Sequence, residues 1–332
     1  MLIRPLINLY IWFLRVFKGK SYSCRKISQV YFIVDQRYDR IIRAYYKYIE
    51  SLLSKALVVV NTPCIVLLDC DEFIWLKFCI PTKKIVFQIE HTLVKQGARD
   101  CEGAIPGRIT IPGSSTKYLV RLANLSKLQS SDLVIEYSQI NQFNVRQNHE
   151  LASYASKAFC ISPALYPLFE NSLSISSPRT HNTITMFGNL DEPRRKIFLD
   201  KLAAANVQSK NINHVFEGIE DLYRNTKILI NIRQTDHHDT LEELRVLPAL
   251  RCGVIVVSER APLIERTRYS KYIVWGELSE LPNLVLDIQN NYEKWHNKIF
   301  ENPGFTRRMN RISRQNQLTA LRAIQSLNNQ LI

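Results

Sequence analysis

Short apolar runs alternate with helical stretches along most of the chain. In its first half the runs are Ala56–Val60, Cys64–Leu68, Lys84–Gln88, Leu133–Ile135 and Ala158–Ile161. Continuous apolar runs of this length are typical of strands that are covered on both faces, so they predict a parallel sheet. Residues 97–115 contain glycine and proline and predict an exposed loop that is able to close over a site.

A second series follows residues 163–177, where proline, serine and asparagine interrupt the pattern. Its predicted elements are strand Thr183–Phe187, helix Glu192–Ala205, strands His214–Phe216 and Lys227–Ile232, helix Thr240–Arg251, and strands Val254–Val257 and Tyr272–Val274. The residues of the first helix predicted to face inward are Ile197, Leu199, Leu202 and Ala205. Two series predict an α/β protein with two Rossmann-like lobes, residues 56–175 and 176–332, on either side of a cleft.

The two ends of the chain are predicted to be helical. Residues 1–55 read as basic amphipathic helices, and the tail from Arg307 to Leu327 reads as a closing helix. The apolar stretch Leu6–Leu14 is shorter than the roughly 20 residues of a membrane-spanning helix. Its aromatic residues and flanking arginines suit a helix lying in a membrane interface, and equally a helix docked on the core of the protein itself.

Charge is concentrated at these ends. The 332 residues carry a net charge of +14, of which residues 1–50 contribute ten Lys/Arg against three Asp/Glu and residues 293–332 contribute seven against two. This distribution indicates attraction to an anionic membrane, a nucleic acid or a phosphorylated acceptor. A content of 46% hydrophobic residues excludes a disordered or fibrous protein. Seven scattered cysteines without a C-x-x-C pair favour a reducing, cytoplasmic location and disfavour a structural metal site.

The second lobe contains a candidate phosphate site. Gly188 and Asn189 end an apolar strand, and Arg194 and Arg195 follow at the start of a basic helix. Glycine lets a phosphate approach the backbone, and a helix N-terminus offers free N–H groups and a partial positive charge. The alternative is an ordinary turn between a strand and a helix.

Three motifs stand out in residues 183–265: a strand ending in Gly-Asn before an Arg-Arg helix, a strand followed by Asn-Ile-Arg, and the segment E-x-R-x-x-x-A-L-x-C-G-x-x-V-V-S-E from Glu243 to Glu259. With these motifs, residues 183–265 resemble the nucleotide-sugar-binding lobe of GT-B glycosyltransferases, in the branch described as spore-protein-like. The resemblance implies a sugar transferase with a nucleotide-sugar donor and no metal or other cofactor. Expected acceptors are a glycan, a lipid-linked or a polyanionic molecule, with a peripheral membrane location and no nucleic acid.

The resemblance also implies roles for single residues. Glu242 or Glu243 holds the ribose hydroxyls, and Arg245 holds the diphosphate. The other expected donor contacts are Gly188, Asn189, Arg194, Arg233, Ser258 and Glu259. The alternative for the acidic pair is a solvated helix start. Large retaining families carry two glutamates where this chain has Thr240 and Pro248, so the stereochemical outcome and the base stay open.

The first lobe offers candidate catalytic groups after three strands. Asp69 and Asp71 follow one strand, Glu90 and His91 the next, and Glu136 a third. Glu90, His91 and Asp71 are the candidates to deprotonate an acceptor or to contact it. Asp69 and Asp71 also resemble the first motif of haloacid-dehalogenase-type phosphatases, although the later acidic pair of that family is missing. A non-catalytic module that binds membrane or nucleic acid through its basic ends is the remaining alternative.

The loop residues His237 and His238, with Asp236 and Asp239 beside them, form a cluster of possible metal ligands. Adjacent histidines in a loop rarely converge on one ion without a further ligand. The sequence therefore predicts a polar loop here, in contact with phosphate, sugar or solvent, and no metal site.

Overall fold

The structure, a computed structural model, describes residues 3–37, 42–97, 104–106, 115–169, 179–213, 215, 217–235 and 239–329. The elements of its first part are α1 (Ile3–Lys18), β1 (Tyr22–Ile27), β2 (Val30–Asp35), α2 (Arg43–Ala56), β3 (Cys64–Leu68), β4 (Thr82–Gln88), β5 (Leu93–Lys95), β6 (Ile105–Pro106), β7 (Tyr118–Val120), α3 (Leu125–Ser130), β8 (Leu133–Glu136), α4 (Gln139–Arg146), α5 (Ala152–Lys157) and β9 (Ala158–Cys160). The second part comprises β10 (His181–Thr185), α6 (Pro193–Ala204), β11 (Lys210–Asn211), α7 (Ile219–Arg224), β12 (Thr226–Asn231), α8 (Glu243–Arg251), β13 (Ile255–Glu259), β14 (Val274–Gly276), α9 (Leu281–Asn290), α10 (Tyr292–Phe300) and α11 (Pro303–Asn329).

The first lobe is built on a six-stranded sheet with the order β1-β2-β3-β4-β8-β9. Its strands are parallel except for the antiparallel hairpin of β1 and β2. The prediction of helices alone in residues 1–55 is therefore wrong for residues 22–35. The segment VYFIVD of β2 is rich in β-branched and aromatic residues and pairs beside β3, where most of its side chains are buried.

One predicted strand of the first lobe is also wrong. Residues 56–60 form the end of α2 and a 3-10 turn, Leu57–Val59, instead of a strand. Val58 and Val59 are exposed, and only the residues on either side of them are buried. Apolar composition alone does not distinguish a buried strand from the end of a helix. The other four runs do form β3, β4, β8 and β9.

The second lobe is built on a parallel sheet with the order β11-β10-β12-β13-β14. The α/β class with two Rossmann-like lobes is thereby confirmed. The chain adds β11 on one side of β10 and then adds β12, β13 and β14 on the other side, so the order of strands reverses between β10 and β12. Ligands of such sheets bind at the carboxyl ends of the strands beside this reversal. The predicted inward position of Leu202 is confirmed, whereas that of Ile197 is wrong, because Ile197 is 53% exposed and Phe198 is buried instead. The predicted strand 214–216 lies mostly outside the described residues.

Helices cover both faces of the first sheet. On one face α1 packs through Ile3, Ile7 and Leu14. On the other face α2 packs together with the C-terminal helix α11. The amide of Asn316 in α11 donates to Ser162 O at 2.7 Å and to the Tyr48 hydroxyl at 3.0 Å, and its oxygen accepts from Ser162 N. The last helix therefore closes the first lobe although it follows the second in sequence.

We expect Gly253→Ala to lower the free energy of unfolding by about 2 kcal/mol or more. Gly253 follows α8 with φ +77°, and a Cβ atom there lies 2.6 Å from Arg179 Nη2 and 2.9 Å from Phe169 Cγ. Gly188→Ala is the matched control, because Gly188 has no left-handed φ and no other side chain or backbone atom within 4 Å of where its Cβ atom would lie. Chemical denaturation of both variants measures the difference, and equal stabilities would contradict the packing argument.

Candidate functional site

The carboxyl ends of the two sheets meet where the lobes are in contact. Lys95 Nζ lies 3.3 Å from Asp239 Oδ2 there, and three other side-chain pairs between the lobes matter for the site. Tyr118 donates to Asp239 Oδ2 at 2.7 Å, Ser138 donates to Glu243 Oε1 at 2.6 Å, and His91 Nε2 lies 3.6 Å from Glu242 Oε2. We call this region the interlobe cleft. The three pairs place the ends of β4 and β8 directly opposite the start of α8.

Two arginines and two carboxylates form a cluster on the second-lobe side of the cleft. Glu259, at the end of β13, is 3% exposed and pairs with both Arg194 and Arg233. Arg194 Nη1 lies 2.8 Å from Glu259 Oε2, and the backbone N–H of Arg233 donates to the same oxygen at 3.1 Å. Arg233 also pairs with Asp239. We call these four residues the arginine cluster. It brings together three residues that were predicted from the sequence to bind the nucleotide-sugar donor, Arg194, Arg233 and Glu259.

The predicted Gly188–Asn189 turn lies exposed at the reversal of the second sheet. Beside it, Arg195 is buried with its guanidinium 4.9 Å from the centre of the Phe187 ring. Arg195 Nη1 donates to Asn189 O at 3.4 Å. Burial, together with the nearby charge of Arg245, lowers the pKa of Arg195 to about 10. Arg195 therefore supports this turn from beneath, while the backbone of Gly188 faces open space.

Arg245 is half-buried in the first turn of α8. Its guanidinium makes no hydrogen bond or ion pair with the part of the chain that the structure describes, although its charge is felt at Arg195, Glu242 and His91. A cation in this position is able to bind an anionic group from solution. The predicted placement of Arg245 at the cleft therefore agrees with the geometry.

His91 and Glu242 form a polarised pair across the cleft. Burial opposes the charge on His91, but the nearby negative charge of Glu242 outweighs it and raises the pKa of His91 above its usual value. Burial likewise opposes ionisation of Glu242, yet His91 and then Arg245 lower its pKa to about 2. His91 Nδ1 lies 3.2 Å from the Tyr137 hydroxyl. Glu242 thus orients His91 and strengthens it as a base.

Glu243 differs from its predicted role. Its two carboxylate oxygens accept from the Ser138 and Tyr269 hydroxyls, and the side chain is almost fully buried. Burial raises the pKa of Glu243 to about 7, and burial raises that of the neighbouring Glu136 to about 8. Glu243 therefore connects the lobes in this structure instead of facing a ribose, because the first residue of α8 points into the first lobe.

Ser258 also differs from its predicted role. Its side chain is fully buried, and its hydroxyl accepts from the Asn231 amide at 3.0 Å. Side chains alternate between the two faces of a strand, so adjacent residues of β13 do not point the same way. Glu259 reaches the cleft, whereas Ser258 joins β13 to β12.

The other two predicted catalytic residues lie apart from the arginine cluster. Glu90 is exposed, and its carbonyl accepts from Gln88 and Asn141. Asp71 begins the 3-10 helix Asp71–Phe78 and pairs with Lys84. Asp71 lines a separate cavity of about 250 Å³ that also contains Asp69, which lies 2.9 Å from Lys127 Nζ. The structure brings only His91 of the predicted catalytic set into contact with the second lobe.

Within the described ranges, no group of three or more His, Cys, Asp or Glu side chains is arranged to hold a metal ion. The residues Asp236, His237 and His238 lie outside those ranges, as does most of the predicted 97–115 loop. Among the described helices, none is both long and apolar enough to cross a bilayer.

Comparison with known proteins gives partial similarities. No protein-family model matches the chain. The uncharacterised protein R358 of Acanthamoeba polyphaga mimivirus is 30% identical over 119 residues, which is 35% of this chain and 42% of that protein. The chain therefore spans less than half the length of this curated relative.

Three solved structures are similar to this chain at low identity. The GtfA/B complex has a TM-score of 0.42 at 9% identity, covering 87% of this chain and 60% of that one. The pneumococcal O-GlcNAc transferase GtfA, in complex with UDP and GlcNAc, has a TM-score of 0.40 at 12% identity, covering 86% of this chain and 60% of that one. CalG4, the calicheamicin glycosyltransferase, has a TM-score of 0.34 at 12% identity, covering 87% of this chain and 78% of that one. With TM-scores below 0.5, these similarities say nothing about the activity of this chain.

The sequence reasoning missed several residues that the structure places in the cleft. Tyr137 and Ser138 contact His91 and Glu243, and Tyr118 contacts Asp239. Tyr137 and Ser138 directly follow Glu136 at the end of β8, the position that singled out His91 after β4. The rule that candidate residues directly follow a buried strand would therefore also have identified Tyr137 and Ser138. No local signal identifies Tyr118, because its partner lies 121 positions away.

Proposed function

We propose that this protein is a glycosyltransferase that moves a sugar from a nucleotide-sugar donor to an acceptor hydroxyl, without a metal ion. The observation that supports it is the position of Arg245, a half-buried cation with no ion pair among the described residues, near the arginine cluster and opposite His91. Nucleotide phosphates bind at reversals of strand order in α/β sheets. Arginines there offset the negative charge that develops on a departing diphosphate.

In the proposed reaction the acceptor hydroxyl takes the place of the Tyr137 hydroxyl, which lies 3.2 Å from His91 Nδ1, and Nδ1 takes the proton of the acceptor. The acceptor oxygen bonds to the anomeric carbon of the sugar, and the bond between that carbon and the diphosphate breaks. The leaving electron pair stays on the diphosphate, where Arg233 and Arg245 stabilise it. Glu242 holds the imidazolium that forms. We assign the acceptor to the first-lobe side of the cleft and expect a glycan, a lipid-linked or a polyanionic molecule.

The donor is identified by thermal unfolding with UDP, GDP, CMP, dTDP and ADP, each with and without magnesium. A ligand that binds only the folded protein raises Tm by mass action. We expect a selective rise with one nucleotide and no dependence on magnesium. If none of the five raises Tm, the donor assignment is wrong.

Arg245→Gln is expected to weaken binding of that nucleotide about 10- to 100-fold, because hydrogen bonds to a charged group contribute about 1.5–3 kcal/mol each. The fold should be unaffected, since Arg245 acts on its neighbours among the described residues through its charge, without a hydrogen bond or ion pair. Calorimetric titration measures the affinity. Arg311→Gln, an exposed arginine on α11, is the control for the loss of one charge. Equal affinity of both variants would remove Arg245 from the donor site.

A further inference from the structure

The outward side of α1 is apolar, which is unusual for a helix whose inward side already packs on a sheet. Its buried residues Ile3, Ile7 and Leu14 fall within about 40° of one another at about 100° per residue. The exposed apolar residues occupy a different arc of about 140°, on the far side of the helix. They are Leu6, Leu9, Trp12, Phe13, Val16 and Phe17. A helix that is apolar outside its buried stripe requires another apolar environment.

The 3-10 helix Asp71–Phe78 extends this apolar side. Tyr10 of α1 contacts Phe73 and Trp75 edge-on, with 5.3 Å between ring centres in both pairs, and stacks on Phe13. In the same 3-10 helix Ile74 is exposed and Phe78 is 83% exposed. Two separate elements in contact therefore present large apolar side chains to the outside.

Basic residues of α1 form a strip along one edge of its exposed apolar arc. Arg4, Arg15 and Lys18 lie between the buried arc and the exposed apolar arc, and α1 contains no acidic residue. Arg4 also lines a groove of about 550 Å³ with Arg25, Lys26 and Lys55. Glu50 pairs with Arg25, which leaves the groove with a net positive charge. Because Arg4 belongs to both, the basic side of α1 adjoins the groove.

We propose that α1, the 3-10 helix Asp71–Phe78 and the adjacent basic groove form a docking surface for an anionic lipid bilayer. The apolar arc enters the boundary between headgroups and acyl chains, and the basic strip contacts anionic headgroups. This combination distinguishes a bilayer from a nucleic acid, which would use the basic groove but has no place for exposed Leu9, Trp12 and Phe17. The proposal stands independently of sugar transfer.

Sedimentation of the full chain with vesicles tests the surface. We expect binding to phosphatidylcholine vesicles containing 30% phosphatidylglycerol, as a probe composition of about one anionic lipid in three, and at least about tenfold weaker binding to phosphatidylcholine alone. Leu9→Gln/Phe17→Gln should bind about 100-fold more weakly, because two apolar side chains no longer enter the lipid. Arg4→Gln/Arg15→Gln should bind roughly 30-fold more weakly, at about fivefold for each basic residue.

Ile197→Gln/Leu318→Gln removes two exposed apolar side chains elsewhere and should bind as the unaltered chain does. The proposal is overturned if the unaltered chain does not sediment with anionic vesicles, or if Leu9→Gln/Phe17→Gln binds equally well. It is also overturned if light scattering shows a dimer that only this variant dissociates, since a second copy then covers α1. Nucleotide affinity is measured separately, so failure here leaves the donor assignment untouched.

Discussion

His91→Ala is expected to lower the rate of sugar transfer about 10²- to 10⁴-fold while nucleotide affinity stays unchanged. The reason is that His91 is the first-lobe base that faces the second lobe, with its pKa raised by Glu242 against the effect of burial. Single-turnover kinetics with the donor identified by thermal unfolding measure the effect. Glu90→Gln is the matched control, because Glu90 is exposed one position earlier and should change the rate less than about threefold.

The pH dependence provides a second readout of the same role. A base must be unprotonated, so the rate should rise as pH passes through the pKa of His91, which lies above the usual value of about 6.5. Glu242→Gln removes the interaction that raises this pKa, and burial then lowers it. The rising limb should therefore move to lower pH in Glu242→Gln. A limb that stays in place would show that another group accepts the proton.

Glu259→Ala is expected to reduce the free energy of unfolding by about 3–5 kcal/mol, the typical cost of leaving one partner of a buried ion pair unpaired. Glu259 is nearly inaccessible to solvent and is shared by two arginines, so its loss leaves both without this carboxylate. Nucleotide affinity should fall as well, because Arg194 and Arg233 lose their fixed positions. Urea denaturation and calorimetric titration measure the two effects.

The exposed pair of Arg260 and Glu277 supplies the control. Both side chains are more than half exposed, and Glu277→Ala should cost less than about 1 kcal/mol. Burial alone would raise the pKa of Glu259, but Arg233 and Arg194 lower it overall. Its contribution to stability is therefore present above the unfolded pKa of about 4.3 and disappears as pH falls through the lower folded value. A Glu259→Ala variant as stable as Glu277→Ala would contradict the assigned role.

Much of the fold follows from the sequence because buried parallel strands are continuous apolar runs. Four of five such runs in the first lobe form strands, and β10, α6, β12, α8 and β13 lie close to their predicted positions. The short elements β11 and α7 were not predicted. The hairpin of residues 22–35 was not predicted. Its first strand, YSCRKI, is basic and has no continuous apolar run, so the apolar second strand was not recognised as half of a hairpin. Residues 56–60 were misassigned because only neighbours far along the chain decide whether an apolar run continues a helix or pairs as a strand.

The candidate site was predictable one lobe at a time. Arg194, Arg233 and Glu259 each end a strand or begin a helix, so local rules find them, and the structure shows them paired. Ser258 is buried and Glu243 connects the lobes because of the direction in which each side chain points. The sequence pattern did not fix these directions. Contacts such as that between Tyr118 and Asp239 depend on how two lobes approach, which no local pattern contains.

The position of α11 has a consequence for synthesis on the ribosome. The first lobe lacks Ala320, Ala323, Ile324 and Leu327 of its core, and the Asn316 contacts, until residues 303–329 have been made. Domains generally fold in the order of their synthesis. Here the lobe that emerges first cannot be completed before the lobe that emerges second. The emerging chain therefore carries an uncovered apolar face on α2 from the synthesis of α2 until α11 packs on it, and a chaperone is able to bind this face.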